Sequence, residues 1–461
     1  MSPDDTPEPS DTPNRRRRRV LAALGAGATA GLAGCTSALP GSGTRTPTPS
    51  PSARPTQGLE DWQGYDPDWE APTTSPLQGI ETETVVEKLK VPWDFAFAPN
   101  GELFCSERVG RILRIEDGVK NVVAEPEAVV DASAIDPGDE GGWWSTGGED
   151  GLLGIAVHPS YPDQPYVYAY YTYRDSDAPN GETNRVVRYD VTADDITGTE
   201  ETIVDGIPGN QFHNGGRIAF GPRGYLWVTC GDGGQPGEAS DPSSFAGKIL
   251  RLLPDGDPVP ENPDWGGDGD ERVFTVGHRN PQGITWLPDG TPVVTEHGPN
   301  AKDEVNLLSK GDDYGWPSAR TQEQYGGTDY HRPVVNTGNE TWAPTGSVFY
   351  TGDEVPALRN RLLVGALRGQ HVNAVTLSPR DAALPPAEDG TARRFEGWYD
   401  TRFTATSHKL FVDELGRVRC VGQGPDGNLF AITSNRDGRA SGEQFPRQGD
   451  DRLVRLVQPG G

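Results

Sequence analysis

Short apolar segments recur in pairs along this chain, and each pair flanks a turn that contains proline, as in WDFAFAP before ELFCSE and GRIAFGP before YLWVTCGD. The six turn prolines follow one another at intervals of 60, 63, 66, 68 and 69 residues; they are Pro99, Pro159, Pro222, Pro288, Pro356 and Pro425. Four of the six turns read Pro-x-Gly, a sequence suited to a tight reversal of the chain. Each pair therefore predicts a β-hairpin.

The interval between hairpins leaves room for two further strands in each repeat. Four antiparallel strands form the blade of a β-propeller, so six repeats predict an all-β fold, a six-bladed β-propeller with four-stranded antiparallel blades. A β-sandwich is the alternative for a chain with many short strands, but it would not produce so regular a period.

Composition supports this fold and narrows the range of partners. The 60 Gly and 42 Pro residues favour many tight turns. A net charge of −27 argues against nucleic acid as a partner, because its phosphates would be repelled. Only seven of the 41 basic residues are Lys, and an acidic, Lys-poor surface is typical of a protein adapted to concentrated salt. The alternative is an acidic surface that binds a basic partner.

The N-terminal region reads as a targeting segment. The basic run Arg15–Arg19 fits a twin-arginine signal, and a short apolar stretch from Val20 to Gly34 is too short to span a bilayer. It ends in Leu-Ala-Gly before Cys35, which resembles a lipobox. Residues 1–35 are therefore predicted to be a lipoprotein signal, 36–78 a disordered tether rich in Pro, Ser and Thr, and 79–461 the propeller domain. The protein would be exported and lipid-anchored on the outer face of the cell membrane through Cys35.

Three cysteines lie beyond the lipobox. Cys105, Cys230 and Cys420 each stand in an apolar strand pattern, and an odd number cannot pair completely within one chain. We expect buried, free thiols, and their spacing suggests no metal site.

Uncommon polar residues share one edge of the predicted sheets. The first strand of a hairpin begins, and the second ends, at the same edge. The residues at these positions are Glu149, Asp150, His213, Asn214, Asp232, Arg279, Asn280, Glu296, His297, Gly298, Pro299, Arg368, Arg417 and Arg419. If these strands are the inner ones, their side chains converge on the axial opening of the propeller.

Four arginines in this ring, at positions 279, 368, 417 and 419, would repel one another in a partly desolvated cavity. Guanidinium groups bind planar carboxylates or phosphates through two parallel hydrogen bonds. The ring therefore predicts a small polyanionic ligand, although each arginine alone could pair with a neighbouring carboxylate.

An ordered set of motifs resembles the soluble glucose/sorbosone dehydrogenase family, whose members are sugar dehydrogenases on six-bladed propellers that depend on pyrroloquinoline quinone (PQQ). The motifs are GEDGLLGIAVHP (148–159), FHNGGRIAFGP (212–222), GHRNPQG (277–283), EHGPNAKDEVNLL (296–308), DDYGWP (312–317), LVGALRG (363–369) and GRVRCVGQGPDGNLF (416–430). PQQ carries three carboxylates and an ortho-quinone, which matches the arginine ring.

The resemblance implies a role for each residue. His213 would be the general base that removes the proton from the sugar C1 hydroxyl while hydride passes to the quinone. Arg279 and Asn280 would contact the cofactor, with Arg279 stabilising negative charge on a quinone oxygen. Arg417 and Arg419 would bind PQQ carboxylates. Arg368 stands where the family usually has Lys.

The resemblance also implies calcium, which would polarise the quinone. Its ligands would be the backbone carbonyls of Gly298 and Pro299, with Asp303 and Glu304 shaping that loop. Glu149 lies where glucose-oxidising members carry an amide, and it could hold a sugar hydroxyl or tune His213. Trp342 could stack on cofactor or substrate, or be a core residue.

The implied reaction is oxidation of an aldose at C1 to its lactone, with electrons passed to a membrane quinone or another carrier. A calcium-dependent propeller lactonase or hydrolase is one alternative, although it would favour a carboxylate-rich centre over an arginine-rich one. A non-catalytic sugar-binding lipoprotein is another, although it would not need His213 together with the arginines.

Overall fold

The computed structural model describes residues 58–76, 79–130, 148–387, 390 and 392–458. The predicted signal and lipobox, and the tether as far as residue 57, lie outside these ranges and stay predictions. No helix in the described ranges is both long and apolar enough to cross a membrane.

Nearly all regular structure is β-strand. Strand β1 spans Glu81–Val86, and four four-stranded antiparallel sheets follow. The first sheet contains β2 (Pro92–Phe97), β3 (Leu103–Glu107), β4 (Arg111–Glu116) and β5 (Val119–Ala124). The second contains β6 (Leu152–Val157), β7 (Tyr166–Arg174), β8 (Glu182–Asp190) and β9 (Glu201–Pro208).

The third sheet contains β10 (Gly215–Phe220), β11 (Leu226–Cys230), β12 (Lys248–Leu252) and β13 (Val273–Thr275). The fourth contains β14 (Pro281–Trp286), β15 (Pro292–Glu296), β16 (Glu304–Leu307) and β17 (Val335–Asn336). A single turn of α-helix, α1, spans Gln322–Tyr325. Short 3₁₀ turns span Leu59–Asp61, Thr197–Thr199, Pro222–Gly224, Pro236–Glu238 and Pro356–Leu358.

The remaining strands form a nine-stranded array with β1. They are β18 (Pro344–Tyr350), β19 (Arg361–Ala366), β20 (His371–Pro379), β21 (Ala392–Phe395), β22 (Phe403–Leu410), β23 (Val418–Gln423), β24 (Leu429–Thr433) and β25 (Leu453–Val457). One parallel bridge, between Gly346 and Cys420, joins its two antiparallel parts, β18-β19-β20-β22-β21 and β23-β24-β25-β1. Strand β1 pairs antiparallel with β25, so the two ends of the domain meet in one sheet.

All six predicted hairpins are confirmed as antiparallel pairs. Each first strand also carries a register irregularity close to its beginning, as between Pro281 and Gly283. A bulge bends a strand and re-aims its side chains, and bulges are frequent beside active sites. The irregularities thus fall at the edge where the sequence places the uncommon polar residues.

The first strands of successive hairpins contact one another in chain order, and β23 in turn contacts β2. Glycines allow this close approach: a Cβ on Gly154 would lie 2.3 Å from the carbonyl oxygen of Gly216, and one on Gly283 would lie 2.2 Å from that of Thr345. Six clusters of buried apolar side chains each draw mainly on two neighbouring sheets. This all-β arrangement is consistent with a propeller. Cys105, Cys230 and Cys420 are buried and free, as predicted.

A buried polar group lies where these first strands approach one another. Arg217 of β10 forms a buried ion pair with Asp94 of β2, and its Nε donates to the carbonyl oxygen of Gln282 at 3.0 Å. Its guanidinium lies 4.1 Å from the ring centroid of Trp93. Side chains from two sheets and a backbone carbonyl from a third therefore fill the space between the first strands.

Residues 58–76 pack on the sheets, so the prediction of a disordered tether does not hold there. The Trp69 ring contacts Phe349 at 5.0 Å between centroids, and Arg361 Nη2 donates to the carbonyl oxygen of Thr74 at 2.6 Å. Trp62 packs against the apolar cluster between the third and fourth sheets. Aromatic side chains, which bury more area than the polar residues around them, explain this docking.

Candidate active site

Two adjoining cavities of about 410 Å³ and 390 Å³ open where the first strands begin and the second strands end. Both are lined by Glu149, His297, Ala343 and Arg368. The larger also has Arg417, Arg419 and Arg439, and the smaller has His213, Arg279, Asn280, Gly298 and Asp303. Most of the predicted site residues are thus brought together, whereas Pro299 and Glu304 line neither cavity.

His213 precedes β10 with a φ of 65°, an uncommon backbone conformation for a residue other than glycine. Its Nδ1 lies 2.9 Å from Asp232 Oδ1, and its Nε2 lies 2.8 Å from Arg279 Nη2. A guanidinium can only donate, so Nε2 must accept and Nδ1 must carry the proton. The neutral imidazole therefore presents its lone pair beside the cavity, which is the tautomer that a general base requires.

Asp232 is held from several directions. Its Oδ2 accepts from Trp316 Nε1 at 2.8 Å, and its Oδ1 accepts from the backbone N–H of Gly234 at 2.9 Å. Its own N–H donates to the carbonyl oxygen of Arg279 at 2.7 Å. The aspartate thus fixes the ring of His213 and ties it to the strand that carries Arg279. The sequence placed Asp232 at this edge without giving it a role.

Arg279 reaches from the base to the corner at Gly298. Its Nη1 donates to the carbonyl oxygens of His297 and Gly298 at 3.1 and 3.2 Å. Asp303 holds this corner, because its Oδ1 accepts from the N–H of Gly298 at 2.9 Å. Glycine is needed there, since a Cβ would lie 2.2 Å from the carbonyl oxygen of Ala301. Two backbone carbonyls therefore converge on one cationic group.

Glu149 stands between the two cavities. Its Oε2 accepts from the N–H of His213 at 3.2 Å, from Asn280 Nδ2 at 3.0 Å and from Gln282 Nε2 at 3.2 Å. Burial alone would raise the pKa of this carboxyl, but His297 and His213, which are cationic in the acidic range where Glu149 titrates, lower it to about 2 together with Arg439 and the Asn280 hydrogen bond. Glu149 is therefore an ionised acceptor at neutral pH.

The arginines of the larger cavity differ in how they are paired. Arg417 forms a buried ion pair with Asp437, at 2.6 Å. Arg419 donates to Gln282 Oε1 at 3.0 Å, but its buried Nε has no hydrogen-bond partner among the described residues. Burial lowers the pKa of Arg419 to about 9. The exposed guanidinium of Arg368 has no hydrogen bond or ion pair within the described ranges.

Two residues that the sequence considered for the site lie elsewhere. Glu304 points away from both cavities, where its carboxylate accepts from Tyr325 Oη at 3.2 Å and from Asn336 Nδ2 at 2.9 Å. Burial raises the pKa of Glu304 to about 7. Trp342 is buried and packs edge-on against Phe395, so the core interpretation of this residue is the correct one.

Other residues of the site carry no role in the sequence interpretation. His297 lines both cavities, and its Nε2 is buried with no partner among the described side chains. Gln282 holds Arg419 and Glu149 together, and Asp437 and Arg439 come from the loop between β24 and β25. The sequence places His297 at the shared edge without giving it a role, whereas no sequence signal marks the loop residues.

The arrangement combines a neutral base with a cationic wall. His213 can take a proton from a hydroxyl group that enters the smaller cavity, and Asp232 would stabilise the resulting imidazolium. Arg368 and Arg419 can bind an anion in the larger cavity, since neither has a carboxylate partner of its own among the described residues.

Residues 89–442 match the family model described as Glucose / Sorbosone dehydrogenase. The structure is similar to a putative oxidoreductase (glucose dehydrogenase) of Thermus thermophilus, with 36% identity, a TM-score of 0.66 and coverage of 82% of this chain and 100% of that one. It is also similar to the PQQ-bound aldose sugar dehydrogenase of Streptomyces coelicolor, with 32% identity, a TM-score of 0.64 and coverage of 83% and 99%.

Among curated relatives, the aldose sugar dehydrogenase YliI of Escherichia coli K12 is 28% identical over 388 residues, which cover 80% of this chain and 93% of the relative. The family match spans most of the described domain, including both cavities. This chain therefore belongs to the glucose/sorbosone dehydrogenase family.

Proposed function

We propose that this protein is a PQQ-dependent dehydrogenase that oxidises an aldose at C1 to its lactone. The observation that carries the proposal is the state of His213, which Asp232 and Arg279 hold as a neutral base beside an arginine-lined cavity. Family membership and the PQQ-bound relative from Streptomyces coelicolor support it.

The residues of the larger cavity fit PQQ. Among the described residues, neither Arg419 Nε nor the Arg368 guanidinium has a hydrogen-bond partner. Both can therefore donate to carboxylates. A cavity of about 410 Å³ has room for a planar ligand of this kind. The Arg417 guanidinium would provide further hydrogen-bond donors in this cavity, although Asp437 already balances its charge. When bound, PQQ supplies the ortho-quinone that accepts the hydride.

The protein's own residues would manage the proton. A sugar hydroxyl that enters the smaller cavity replaces Arg279 as the partner of His213 Nε2, and the imidazole takes its proton. Asp232 then stabilises the charged ring. Arg279, no longer bonded to His213, would stabilise negative charge that develops on the bound quinone. Asn280 holds Glu149 in place beside it.

Calcium is proposed at the corner formed by Gly298 and Pro299. Across the described residues, no group of three or more His, Cys, Asp or Glu side chains is arranged to hold a metal, so the ligands would be backbone carbonyls and solvent. The carbonyl of Gly298 already binds a cationic group, Arg279, and Asp303 fixes the corner, whereas Pro299 shares its carbonyl with the N–H of Ala301 at 2.7 Å. A bound calcium ion would act as a Lewis acid.

The proposed architecture is a propeller with six blades. Six hairpins, six apolar clusters between neighbouring sheets and a closed series of contacts among first strands support this number. Under this interpretation β1 and β25 complete the last blade, with β23 and β24.

We further propose that the protein is exported, anchored through a lipid on Cys35, and passes electrons to a membrane quinone or another carrier. The basic run and lipobox in residues 1–35 support this. Cys35→Ser should move the protein from the membrane fraction to the soluble fraction, and retention in the membrane would contradict the anchor.

The central experiment is reconstitution of the purified protein with PQQ and calcium. We expect bound PQQ with an absorbance that changes when an aldose is added, and stoichiometric lactone as the product. His213→Ala should retain PQQ and lose turnover by roughly 100-fold or more, because a positioned general base contributes about 10²–10⁴-fold.

His331 offers a matched control. It also pairs with an aspartate, Asp312, at 2.7 Å, but it lines neither cavity. His331→Ala should keep turnover close to that of the natural protein. Absence of PQQ binding by the natural protein, or hydrolysis of aldonolactones without PQQ, would contradict the proposed function and favour a lactonase.

A further inference from the structure

The loop between β24 and β25 brings two oppositely charged residues to the larger cavity. Asp437 and Arg439 are two positions apart, and the backbone N–H of Arg439 donates to Asp437 Oδ1 at 3.0 Å. The two side chains contact different partners. Asp437 pairs with Arg417, and Arg439 lies beside Glu149 at the cavity.

Asp437 balances the positive charge of Arg417. Its Oδ2 accepts from Arg417 Nε at 2.9 Å and from Nη2 at 2.6 Å, and both side chains are at least nine-tenths buried. A buried pair in which one carboxylate oxygen accepts from two guanidinium nitrogens matches one positive charge with one negative charge. The wall that faces a ligand therefore gains little net charge from Arg417.

Arg439 is a further cation on the wall of this cavity. It lines the cavity together with Arg368 and Arg419, and its side chain is about one-third exposed. It is held in place there, because its Nη1 lies 3.9 Å from Glu149 Oε1 and its Nη2 donates to the carbonyl oxygen of Gly148 at 3.5 Å. The guanidinium lies 5.6 Å from the ring centroid of Phe212 at the cavity mouth.

We propose that Arg439 is an additional ligand for the carboxylates of bound PQQ, which rests on the proposed function. The buried Arg419 and the exposed Arg368 would contact the bound group together with Arg439, which comes from the loop between β24 and β25. The ligand set is therefore completed by a loop outside the inner strands. Asp437 fixes the turn that presents Arg439, so the loop places both charges together.

The test is PQQ affinity, measured by equilibrium dialysis of the calcium-loaded full-length protein with PQQ absorbance as the readout. Arg439→Gln should raise the Kd for PQQ at least ~10-fold, since a charge-assisted hydrogen bond is about twice as strong as a neutral one. Thermal unfolding of the apo-protein should be unchanged, because the side chain is partly exposed. Arg439→Lys, which keeps the charge, should fall between the natural protein and Arg439→Gln.

Arg447 is the matched control on the same loop. It packs over Phe445 at 4.8 Å, donates to the carbonyl oxygen of Asp413 at 3.3 Å and does not line the cavity. Arg447→Gln removes the same charge, and its Kd for PQQ should stay within about 2-fold of the natural value because solvent screens distant charges.

Three outcomes would overturn the inference. The first is an Arg439→Gln variant that binds PQQ as tightly as the natural protein. The second is an unchanged Kd for PQQ with a raised KM for the aldose, which would make Arg439 a sugar contact. The third is loss of the effect in a Glu149→Gln background, which would mean that Arg439 acts only through Glu149. Failure of the natural protein to bind PQQ would instead refute the proposed function itself.

Discussion

Two arginines lie on first strands of hairpins, Arg217 on β10 and Arg419 on β23, and their surroundings differ. Arg217 and Arg419 both lie near the Trp93 ring, at 4.1 and 5.7 Å, and both use Gln282 as an acceptor. Arg217 donates to the backbone carbonyl of Gln282, and Arg419 donates to the side-chain oxygen of Gln282. Each has one buried nitrogen without a hydrogen-bond partner among the described residues, Nη2 of Arg217 and Nε of Arg419. The difference is the counter-charge: Arg217 is paired with Asp94, whereas Arg419 has no carboxylate in contact within the described part of the chain.

The difference separates a structural layer from a binding layer. A buried charge without a partner is costly, so a chain that folds around one usually supplies a counter-charge. Arg217 has such a counter-charge in Asp94, whereas the carboxylates at the cavity pair with Arg417 and Arg439 and none of the described ones contacts Arg419. The binding layer is therefore arranged for an anion that arrives with the ligand.

The largest effect is expected when Arg217 loses its counter-charge, Asp94. Asp94→Asn leaves Arg217 buried and unpaired and should lower the free energy of unfolding by about 3–5 kcal/mol. Denaturant titration of the apo-protein measures this. A loss below about 1 kcal/mol, roughly one ordinary hydrogen bond, would mean that Arg217 is not held mainly by Asp94.

Glu149 provides a second test, through pH. Its folded-state pKa of about 2 lies below the usual value of 4.5 for this group, so the ionised carboxylate stabilises the fold above pH 4.5. That contribution, on the order of 3 kcal/mol for a side chain only 15% exposed, is lost as the pH falls from 4.5 towards 2. Unfolding of the natural protein and of Glu149→Gln should differ most at about pH 5 and above and converge in acid. A difference that does not depend on pH would contradict the assignment.

Arg419→Gln tests the binding layer directly. We expect a Kd for PQQ that is ~10–100-fold higher, equivalent to about 1.4–2.8 kcal/mol. Stability of the apo-protein should be unchanged or higher, because burial without a partner lowers the pKa of Arg419 and so disfavours its charged form. A variant that is less stable than the natural protein would show that Arg419 serves the fold.

Gln282→Ala sharpens the comparison with the smallest change. The backbone carbonyl that accepts from Arg217 remains, whereas the side chain that holds Arg419 and Glu149 is lost. Stability should fall by about 1 kcal/mol, as for one net hydrogen bond, and PQQ affinity should fall a few-fold. Equal damage from Gln282→Ala and Asp94→Asn would mean that the two layers are not independent.

Much of the fold could be predicted from the chain, because hairpins are local. An apolar strand, a Pro-x-Gly turn and a second strand define each pair, and the shared edge then groups His213, Arg279 and Arg419 without further information. The contacts that distinguish Arg217 from Arg419 are not local. Gln282 and Arg419 are 137 positions apart, and such pairings depend on how the sheets pack.

Two other features could not be predicted, for the same reason. Asp437 and Arg439 lie on a loop with no strand pattern, so nothing in the sequence indicates which wall they approach. Residues 58–76 resemble a tether by composition, and only the grooves that receive Trp62 and Trp69 make them part of the domain.

The pairing of β1 with β25 has a consequence for how the protein is made. Arg455 forms an ion pair with Glu83, 372 positions earlier, so β1 has no strand partner until β25 has also left the ribosome. A product that stops before residue 453 would expose the edge of β24 and leave β1 unpaired, and open strand edges promote aggregation. Strand β25 therefore distinguishes chains that contain residues 453–457 from chains that stop before them, and ordinary quality control could act on that difference.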